Sequence, residues 1–213
     1  MSKGKTVSGA VSIVLLIVSI LSYWVSFASQ HRANNANEYV GTSSTVEVSN
    51  ASGLTGGINS KRTWLNESYT QEWRVGGLVL SMPDSWHLDE DETYSNSSKS
   101  RGVVVDSFEG AYEPGVNTYC NDFIEVAKAK YGIEGFEVLD DPQMVSVKDS
   151  KNVTAARFSY RIEDTSGDSL YETIEVISMP DKTNYVYCIS TQREWSDAEL
   201  QFKHILDTIS LDN

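Results

Sequence analysis

Residues 153–164, "VTAARFSYRIED", are the first of three β-rich runs and are followed by "SLYETIEVISM" (169–179) and "NYVYCIST" (184–191). Only the short segments "TSGD" and "PDKT" separate these runs. Turns of this length join antiparallel strands, because parallel strands need a longer crossover connection. Together with "QMVSVKD" (143–149), the three runs predict an antiparallel β-sheet meander of four strands.

The first run also predicts which face of the sheet is buried. Its apolar residues Ala156, Phe158, Tyr160 and Ile162 alternate with Arg157, Ser159, Arg161 and Glu163. Side chains of a strand point to opposite faces with a period of two. We therefore expect one face of the sheet to be covered and the other to face water.

Two amphipathic helices are predicted to flank the meander. In the first, the apolar residues recur at helical spacing, with Asn117 or Thr118 as N-cap and Gly132 just past the end. That stripe consists of Cys120, Ile124, Ala127 and Tyr131. In the closing helix, Ser196 is the expected N-cap and Glu199 completes a capping box. Its apolar stripe consists of Phe202, Ile205, Leu206 and Ile209.

Three strands are expected before the first helix. They cover residues 69–75, 78–82 and 102–108, and the turn Gly76-Gly77 joins the first two. Amphipathic helices need an apolar surface to cover, and an antiparallel sheet with one apolar face supplies it. The fold class that follows is α+β, an antiparallel meander packed with amphipathic helices.

The order of these elements is similar to a known family. The segment "GLVLSMPDSW" (77–86), with Pro83 and Trp86, is followed by a helix, a meander and a helix ending in "ILDTISL" (205–211). This pattern resembles the Mog1/PsbP-like α/β/α sandwich, in its bacterial membrane-anchored or secreted type, over residues 69–211. The resemblance implies a fold whose members are mostly non-enzymatic, among them a photosystem accessory protein and a Ran-binding nuclear factor.

The N-terminal region predicts a location outside the cytoplasm. Residues 7–28 carry no charge over 22 positions, which as a helix span about 33 Å, close to the thickness of a bilayer core. Lys3 and Lys5 precede this segment, so residues 1–6 are expected in the cytoplasm and the C-terminal part outside. The alternative is a secretory signal peptide cleaved after Ala28, because Ser26-Phe27-Ala28 is a small-x-small triplet.

A flexible linker rich in Ser, Asn and Gly is predicted at residues 29–61, followed by one extracytoplasmic domain at 62–213. The chain carries 30 acidic against 17 basic residues, a net charge of −13. Such a surface repels nucleic acid, so no nucleic-acid partner is expected. The expected partners are the membrane, through residues 7–28, and a protein or cell-envelope component of unknown identity.

The segment "PDSWHLDEDE" (83–92) is the densest group of potential metal ligands. Asp84, Asp89 and Asp91 are the candidate ligands for a hard cation such as Ca²⁺, which prefers several oxygen atoms. The segment lacks the ligand spacing and the turning glycine of an EF-hand loop. The other interpretation is a solvated acidic loop that contributes only Trp86 to the core. No cofactor is predicted.

Cys120 and Cys188 are the only cysteines, and outside the cytoplasm an even number permits a disulfide. Cys120 lies on the stripe of the first helix, and Cys188 alternates with Val186 in the last strand. Both are therefore expected in one layer between helix and sheet. Whether they form a bridge or remain two separate buried thiols stays open.

Catalytic motifs are missing from the sequence. It contains no G-x-S-x-G, S-x-x-K or H-E-x-x-H pattern, and beyond the linker only His87 and His204 offer an imidazole. Tyr185 and Tyr187 are expected on the sheet face opposite Cys188. In a three-layer sandwich a helix covers that face and they belong to the core; the alternative is a tyrosine-lined ligand surface. The predicted function is thus a non-enzymatic interaction or accessory domain. A secreted calcium-binding module and an unrecognised hydrolase are the alternatives.

Overall fold

The computed structural model describes residues 66–111, 115–148, 150, 152–163 and 169–212. The predicted membrane segment, the linker and the predicted domain start at residue 62 lie outside these residues. Within the described ranges, no helix is both long enough and apolar enough to cross a membrane.

The described residues form two sheets and two helices. In chain order the elements are β1 (Gln71–Val75), β2 (Leu78–Met82), β3 (His87–Leu88), β4 (Tyr94–Ser95), β5 (Arg101–Glu109), α1 (Val116–Gly135), β6 (Phe136–Val145), β7 (Thr154–Glu163), β8 (Ser169–Ser178), β9 (Lys182–Thr191), α2 (Trp195–Leu206) and β10 (Ser210–Leu211). The larger sheet has the strand order β3-β4-β5-β9-β8-β7-β6, and the smaller sheet has the order β1-β2-β10. Both sheets are antiparallel, so the predicted α+β class is confirmed.

The predicted meander forms one side of the larger sheet, from β9 out to the edge strand β6. Strands β6, β7, β8 and β9 are neighbours in sequence order, and Arg157 of β7 lies directly opposite Glu175 of β8. Strand β5 pairs with the other side of β9. The short turns seen in the sequence therefore predicted the topology correctly.

Gly76, in the turn between β1 and β2, lies where the smaller sheet packs closely against the larger one. Its φ is +60°, and a Cβ added there would lie 2.4 Å from Ser107 Oγ and 2.5 Å from Asn184 Oδ1. Ser107 belongs to β5 and Asn184 to β9, and the Ser107 hydroxyl donates a hydrogen bond to Asn184. Only glycine therefore allows the turn between β1 and β2 to approach this pair without displacement.

Helix α1 ends its regular part at Gly132, as predicted, because this glycine has φ 76° and ψ 172° within the segment. The predicted N-caps were wrong. Gly115 precedes the helix and no side chain caps it, so Asn117 and Thr118 already lie in the first turn. The stripe packs on the larger sheet in a cluster that we call the α1-side core, which includes Cys120, Phe123, Phe158, Tyr160 and Tyr187.

Helix α2 covers the opposite face of the larger sheet together with the smaller sheet. Phe202, Ile205, Leu206 and Ile209 are buried as predicted, and they belong to a second cluster, the α2-side core. The predicted capping box was wrong, because the helix begins at Trp195 and its N-cap Glu194 makes no side-chain capping bond. Ser196 therefore lies inside the first turn.

The larger sheet is consequently covered on both faces, and the expectation of a water-facing side was wrong. Ala155 and Ile177 on that side belong to the α2-side core. Ser159 is buried as well and shares a hydrogen bond of 3.0 Å with Thr173. Polar residues on this face pair with one another, which is why an alternating sequence pattern does not mark exposure here.

Strand β6 forms one edge of the larger sheet. Its pairing with β7 shifts register twice, between Val138 and Asp140 and again between Asp140 and Gln143. Asp141 and Pro142 lie in the second irregular stretch. The outer side of this edge is thus interrupted by two irregularities and carries a proline and two carboxylates.

Candidate functional site

The hairpin of β3 and β4, residues 87–95, is exposed and rich in carboxylates, and we call it the acidic hairpin. Its tip is closed by two backbone hydrogen bonds, from Asp89 N to Thr93 O at 2.8 Å and from Glu92 N to Asp89 O at 3.1 Å. Glu90, Asp91 and Glu92 are exposed, and Glu92 adopts a positive φ of 63°. Three carboxylates therefore project from one tight turn.

Asp89 differs from these three because its carboxylate is bound by the hairpin itself. It accepts a hydrogen bond from Ser95 Oγ at 2.7 Å, and Lys99 Nζ and His87 Nε2 lie 3.2 and 3.3 Å from Oδ1. Burial alone would raise the pKa of Asp89, but the hydrogen bonds from Ser95 and Lys99 and the positive charges outweigh it, so the pKa is lowered. Asp89 holds the hairpin together.

Asp84 has a comparable structural role just before the hairpin. Its Oδ1 accepts hydrogen bonds of 2.8 Å from both the backbone N–H and the hydroxyl of Thr70. These bonds lower the pKa of Asp84. Its own N–H donates to Ser68 O at 2.9 Å. The carboxylate thus fixes the entering chain against the start of the hairpin.

The three candidate metal ligands are not brought together. Asp84 faces Thr70, Asp89 faces Ser95 and Lys99, and Asp91 Oδ1 accepts a bond of 3.3 Å from Thr93 N. Among the residues that the structure describes, no group of three or more His, Cys, Asp or Glu side chains is placed to hold a metal ion.

Leu88 gives the acidic hairpin an apolar component. Its side chain is 52% exposed, whereas Trp86, two positions earlier, is buried in the α2-side core. The other large apolar residue exposed among the described residues is Met144, at 58%, on the edge strand β6. The hairpin is therefore anchored by Trp86 and presents Leu88 beside its carboxylates.

The two cysteines lie on opposite faces of the larger sheet, so the expected shared layer was wrong. Cys120 belongs to the α1-side core and Cys188 to the α2-side core. Both are buried free thiols. Burial raises the pKa of Cys120 to about 12 and raises that of Cys188 even further, which leaves both thiols protonated at neutral pH.

The histidines named for a possible hydrolase have separate surroundings. His87 contacts Asp89 on the hairpin, whereas His204 on α2 packs edge-on against the Tyr69 ring with 4.5 Å between ring centroids. Tyr185 and Tyr187 are buried beneath α1, as expected for a three-layer sandwich.

Several buried polar residues were not singled out from the sequence. Arg101, 8% exposed, donates to Gln201 Oε1 at 2.8 Å and to Glu194 Oε2 at 2.7 Å. Gln201 in turn donates to Glu67 Oε2 at 2.7 Å. This network attaches the entering chain to α2. No sequence motif marks it, because its members are distant in sequence.

Strand β8 carries two buried glutamates on opposite faces. Glu172 lies in the α1-side layer and accepts a hydrogen bond from the Tyr160 hydroxyl. Glu175 lies on the other face and binds Arg157. These are the only charged residues between Leu170 and Ile177. A charge within an otherwise apolar run was the signal that could have identified them.

Comparison with known proteins gives a likeness in structure alone. No family model matches the chain, and no curated protein matches it. The solution structure of PsbP (CyanoP) from Synechocystis sp. PCC 6803 is similar, with 12% identity and a TM-score of 0.49, over 75% of this chain and 98% of that chain. The crystal structure of LpqN, involved in cell envelope biogenesis of Mycobacterium tuberculosis, has 11% identity and a TM-score of 0.46, over 63% of this chain and 82% of that one. PsbP is thus among the structures to which this chain is similar, as the sequence pattern indicated.

Proposed function

We propose that this chain is a membrane-tethered extracytoplasmic domain without enzymatic activity, and that it binds a protein or cell-envelope partner through the acidic hairpin. The observation that carries the proposal is the position of Leu88, which is 52% exposed beside Glu90, Asp91 and Glu92. An apolar side chain surrounded by charged ones is the usual composition of a small contact surface, with an apolar centre and a polar rim.

The construction of the hairpin supports a binding role. Asp89 fixes the turn from inside through Ser95 and Lys99, while Trp86 anchors its base in the α2-side core. A surface that is already ordered loses little conformational freedom when a partner binds. The exposed residues of the tip can therefore contribute to affinity without a large ordering cost.

The charge of the hairpin indicates the kind of partner. Exposed carboxylates at the tip attract a positively charged surface and accelerate its association, and this attraction weakens as salt is added. Leu88 then adds an apolar contact, for which each Å² removed from water contributes about 25 cal/mol. A partner with basic and apolar residues side by side suits this combination.

The tether would raise the local concentration of the domain near its target. A flexible linker of the length of residues 29–61 has a root-mean-square span of about 30 Å. The chain enters the domain beside the hairpin, where Asp84 binds Thr70 and Ser68. The described chain therefore begins beside the proposed binding surface.

The distribution of perturbed groups supports the non-enzymatic part of the proposal. Burial raises the pKa of Glu175, Cys188, Tyr160 and Tyr187, and all four side chains are buried within the sandwich. Catalytic groups with shifted pKa values normally face a cleft that substrate can enter. For these four groups the shifts accompany packing and, at Glu175, an ion pair with Arg157.

A photo-crosslinking amino acid at position 88 tests the proposed surface in the full-length chain in its native membrane. Position 144 is the matched control, because Met144 is equally exposed but lies on another edge. We expect a discrete crosslinked product from position 88 that is missing from position 144. Equal crosslinking from both positions would contradict the assignment of the surface.

The variant E90Q/E92Q tests the contribution of the charge on the hairpin. Its control is E125Q/E134Q, which removes the same number of charges from exposed positions of α1. We expect the first variant alone to reduce the yield of the crosslink from position 88, with a loss that shrinks at high salt. If both variants behave alike, the charge of the hairpin has no specific role.

A further inference from the structure

One guanidinium nitrogen is shared by two carboxylates on the α2 side of the larger sheet. Arg157 Nη2 lies 2.7 Å from Glu175 Oε2 and 3.0 Å from Asp207 Oδ1. Arg157 Nε donates a further bond of 2.7 Å to Glu175. Glu175 is the residue opposite Arg157 on β8, and Asp207 is the C-cap of α2. A single cation thus connects the sheet to the end of a helix.

The two carboxylates differ strongly in burial. The Glu175 side chain is 2% exposed and the Asp207 side chain is 58% exposed. The ionisable groups that face Glu175 are Arg157 from β7, Asp207 from the end of α2 and the protonated Cys188 thiol from β9. Two negative charges therefore face one positive charge, and the cost of desolvation falls on Glu175.

We propose that Glu175 and Asp207 compete for Arg157, and that protonation of Glu175 transfers the guanidinium to Asp207. The C-terminal turn of α2 is then held more firmly on the sheet under mildly acidic than under mildly alkaline conditions. This inference does not depend on the proposed function.

The direction of the effect follows from the ionisation of Glu175. Burial raises the pKa of Glu175 to about 7, a shift that Asp207 increases and Arg157 opposes. Its pKa in the folded chain is thus above the value of an unfolded chain, near 4.3. The resulting stabilisation is complete below the unfolded value and is lost as the pH rises through about 7.

The turn that Asp207 holds is connected to the smaller sheet. Asp207 N donates to Lys203 O at 2.9 Å, and Thr208 N donates to Ile205 O at 3.0 Å. Thr208 Oγ1 accepts a bond of 3.0 Å from Ser81 N of β2, and β10 follows two residues later. A change at Arg157 is therefore expected to reach the contact between the end of α2 and strand β2 of the smaller sheet.

The test is amide hydrogen exchange of the full-length chain at pH 5.5 and pH 8.5, with each rate corrected for intrinsic exchange. For Asp207, Thr208 and Ile209 we expect protection about threefold to fivefold higher at pH 5.5, the scale of one partly exposed ion pair. E175Q should give the higher protection at both pH values. D207N should give the lower protection at both, and E125Q, on the exposed face of α1, should behave like the unmodified chain.

Two results would overturn the proposal. One is an E175Q chain that keeps the pH response of the unmodified protein. The other is an unmodified chain whose turn is equally protected at both pH values. If E175Q does not fold, D207N decides, because Asp207 is mostly exposed: a pH response that survives this substitution refutes the competition.

Discussion

Arg101 and Gln201, one hundred positions apart in the sequence, are joined by a hydrogen bond of 2.8 Å in the buried space between β5 and α2. Gln201 is 1% exposed and also donates to Glu67 near the start of the described chain. One amide therefore accepts a hydrogen bond from a buried cation and donates one to the entering segment.

Replacing Gln201 by Ala should destabilise the domain by about 1 to 3 kcal/mol, because Arg101 Nη1 would lose its partner away from water. Gln192, which is exposed in the turn before α2, provides the matched control. We expect Q192A to change the free energy of unfolding by less than about 0.5 kcal/mol. Urea unfolding gives the change in unfolding free energy for each variant. Equal changes in Q201A and Q192A would contradict the role of the Gln201 amide.

Asp89 should matter more for stability than its exposed neighbours. Its lowered pKa means that its contribution is present above the pKa of an unfolded chain, near 3.9, and is lost as the pH falls through the folded value. We expect D89N to lower the unfolding free energy at pH 7 by about 1 kcal/mol and to flatten the loss of stability in acid. Thermal melts between pH 3 and pH 7 check this, with E90Q as the control that should leave both unchanged.

Gly76 and Gly110 allow backbone strain to be separated from steric overlap. Both have positive φ, but an added Cβ meets Ser107 and Asn184 at Gly76 and finds nothing within 4 Å at Gly110. Substitution by Ala should cost about 1 to 2 kcal/mol of strain at either position. G76A should cost about 1 to 3 kcal/mol more through overpacking. If G76A and G110A destabilise the domain equally in chemical unfolding, Ser107 and Asn184 move aside for the added methyl group without a measurable cost.

Both thiols should be unreactive in the native protein. Cys120 and Cys188 are buried, and burial holds their pKa values far above neutrality. We expect iodoacetamide to modify neither at pH 7.5 and both after unfolding in urea, without any reductant. Intact mass resolves the number of adducts. Unfolded chains that accept the reagent only after reduction would show that the cysteines are bridged.

The proposed tether predicts which parts of the chain are accessible from outside the cell. Protease added to intact cells should digest the domain, and residues 1–6 should remain protected, since Lys3 and Lys5 favour a cytoplasmic N-terminus. A mature N-terminus at Ser29 would identify a cleaved signal instead of an anchor. Full protection of the domain from protease would exclude both the membrane anchor and the cleaved signal peptide.

The sequence predicted the meander and both apolar stripes because these depend on local periodicity and turn length. It did not predict that both faces of the larger sheet are covered. Glu175 and Tyr171 lie on one face of β8 and Glu172 on the other, so both faces mix apolar and charged residues. Only the packing of α1 and α2 on opposite sides makes both faces interior.

The helix starts were missed for a similar reason. Ser196 and Glu199 satisfy the capping pattern, but α2 begins at Trp195, which stacks on Tyr171 with 5.3 Å between ring centroids. A stacking contact from a distant strand fixes the first turn here, and a pattern of four consecutive residues contains no information about it. The Arg101 and Arg157 clusters were missed because their members come from different elements.

The irregular outer strand β6 has a consequence for many copies of the domain confined to one plane. A regular edge strand with free N–H and C=O groups would pair with the same strand of a neighbour and extend into a polymer. The proposed tether would bring copies together more often on a membrane, where that risk would be greater than in solution. The register shifts beside Asp140, Asp141 and Pro142 interrupt this edge, which disfavours pairing of β6 with the same strand of a neighbouring copy.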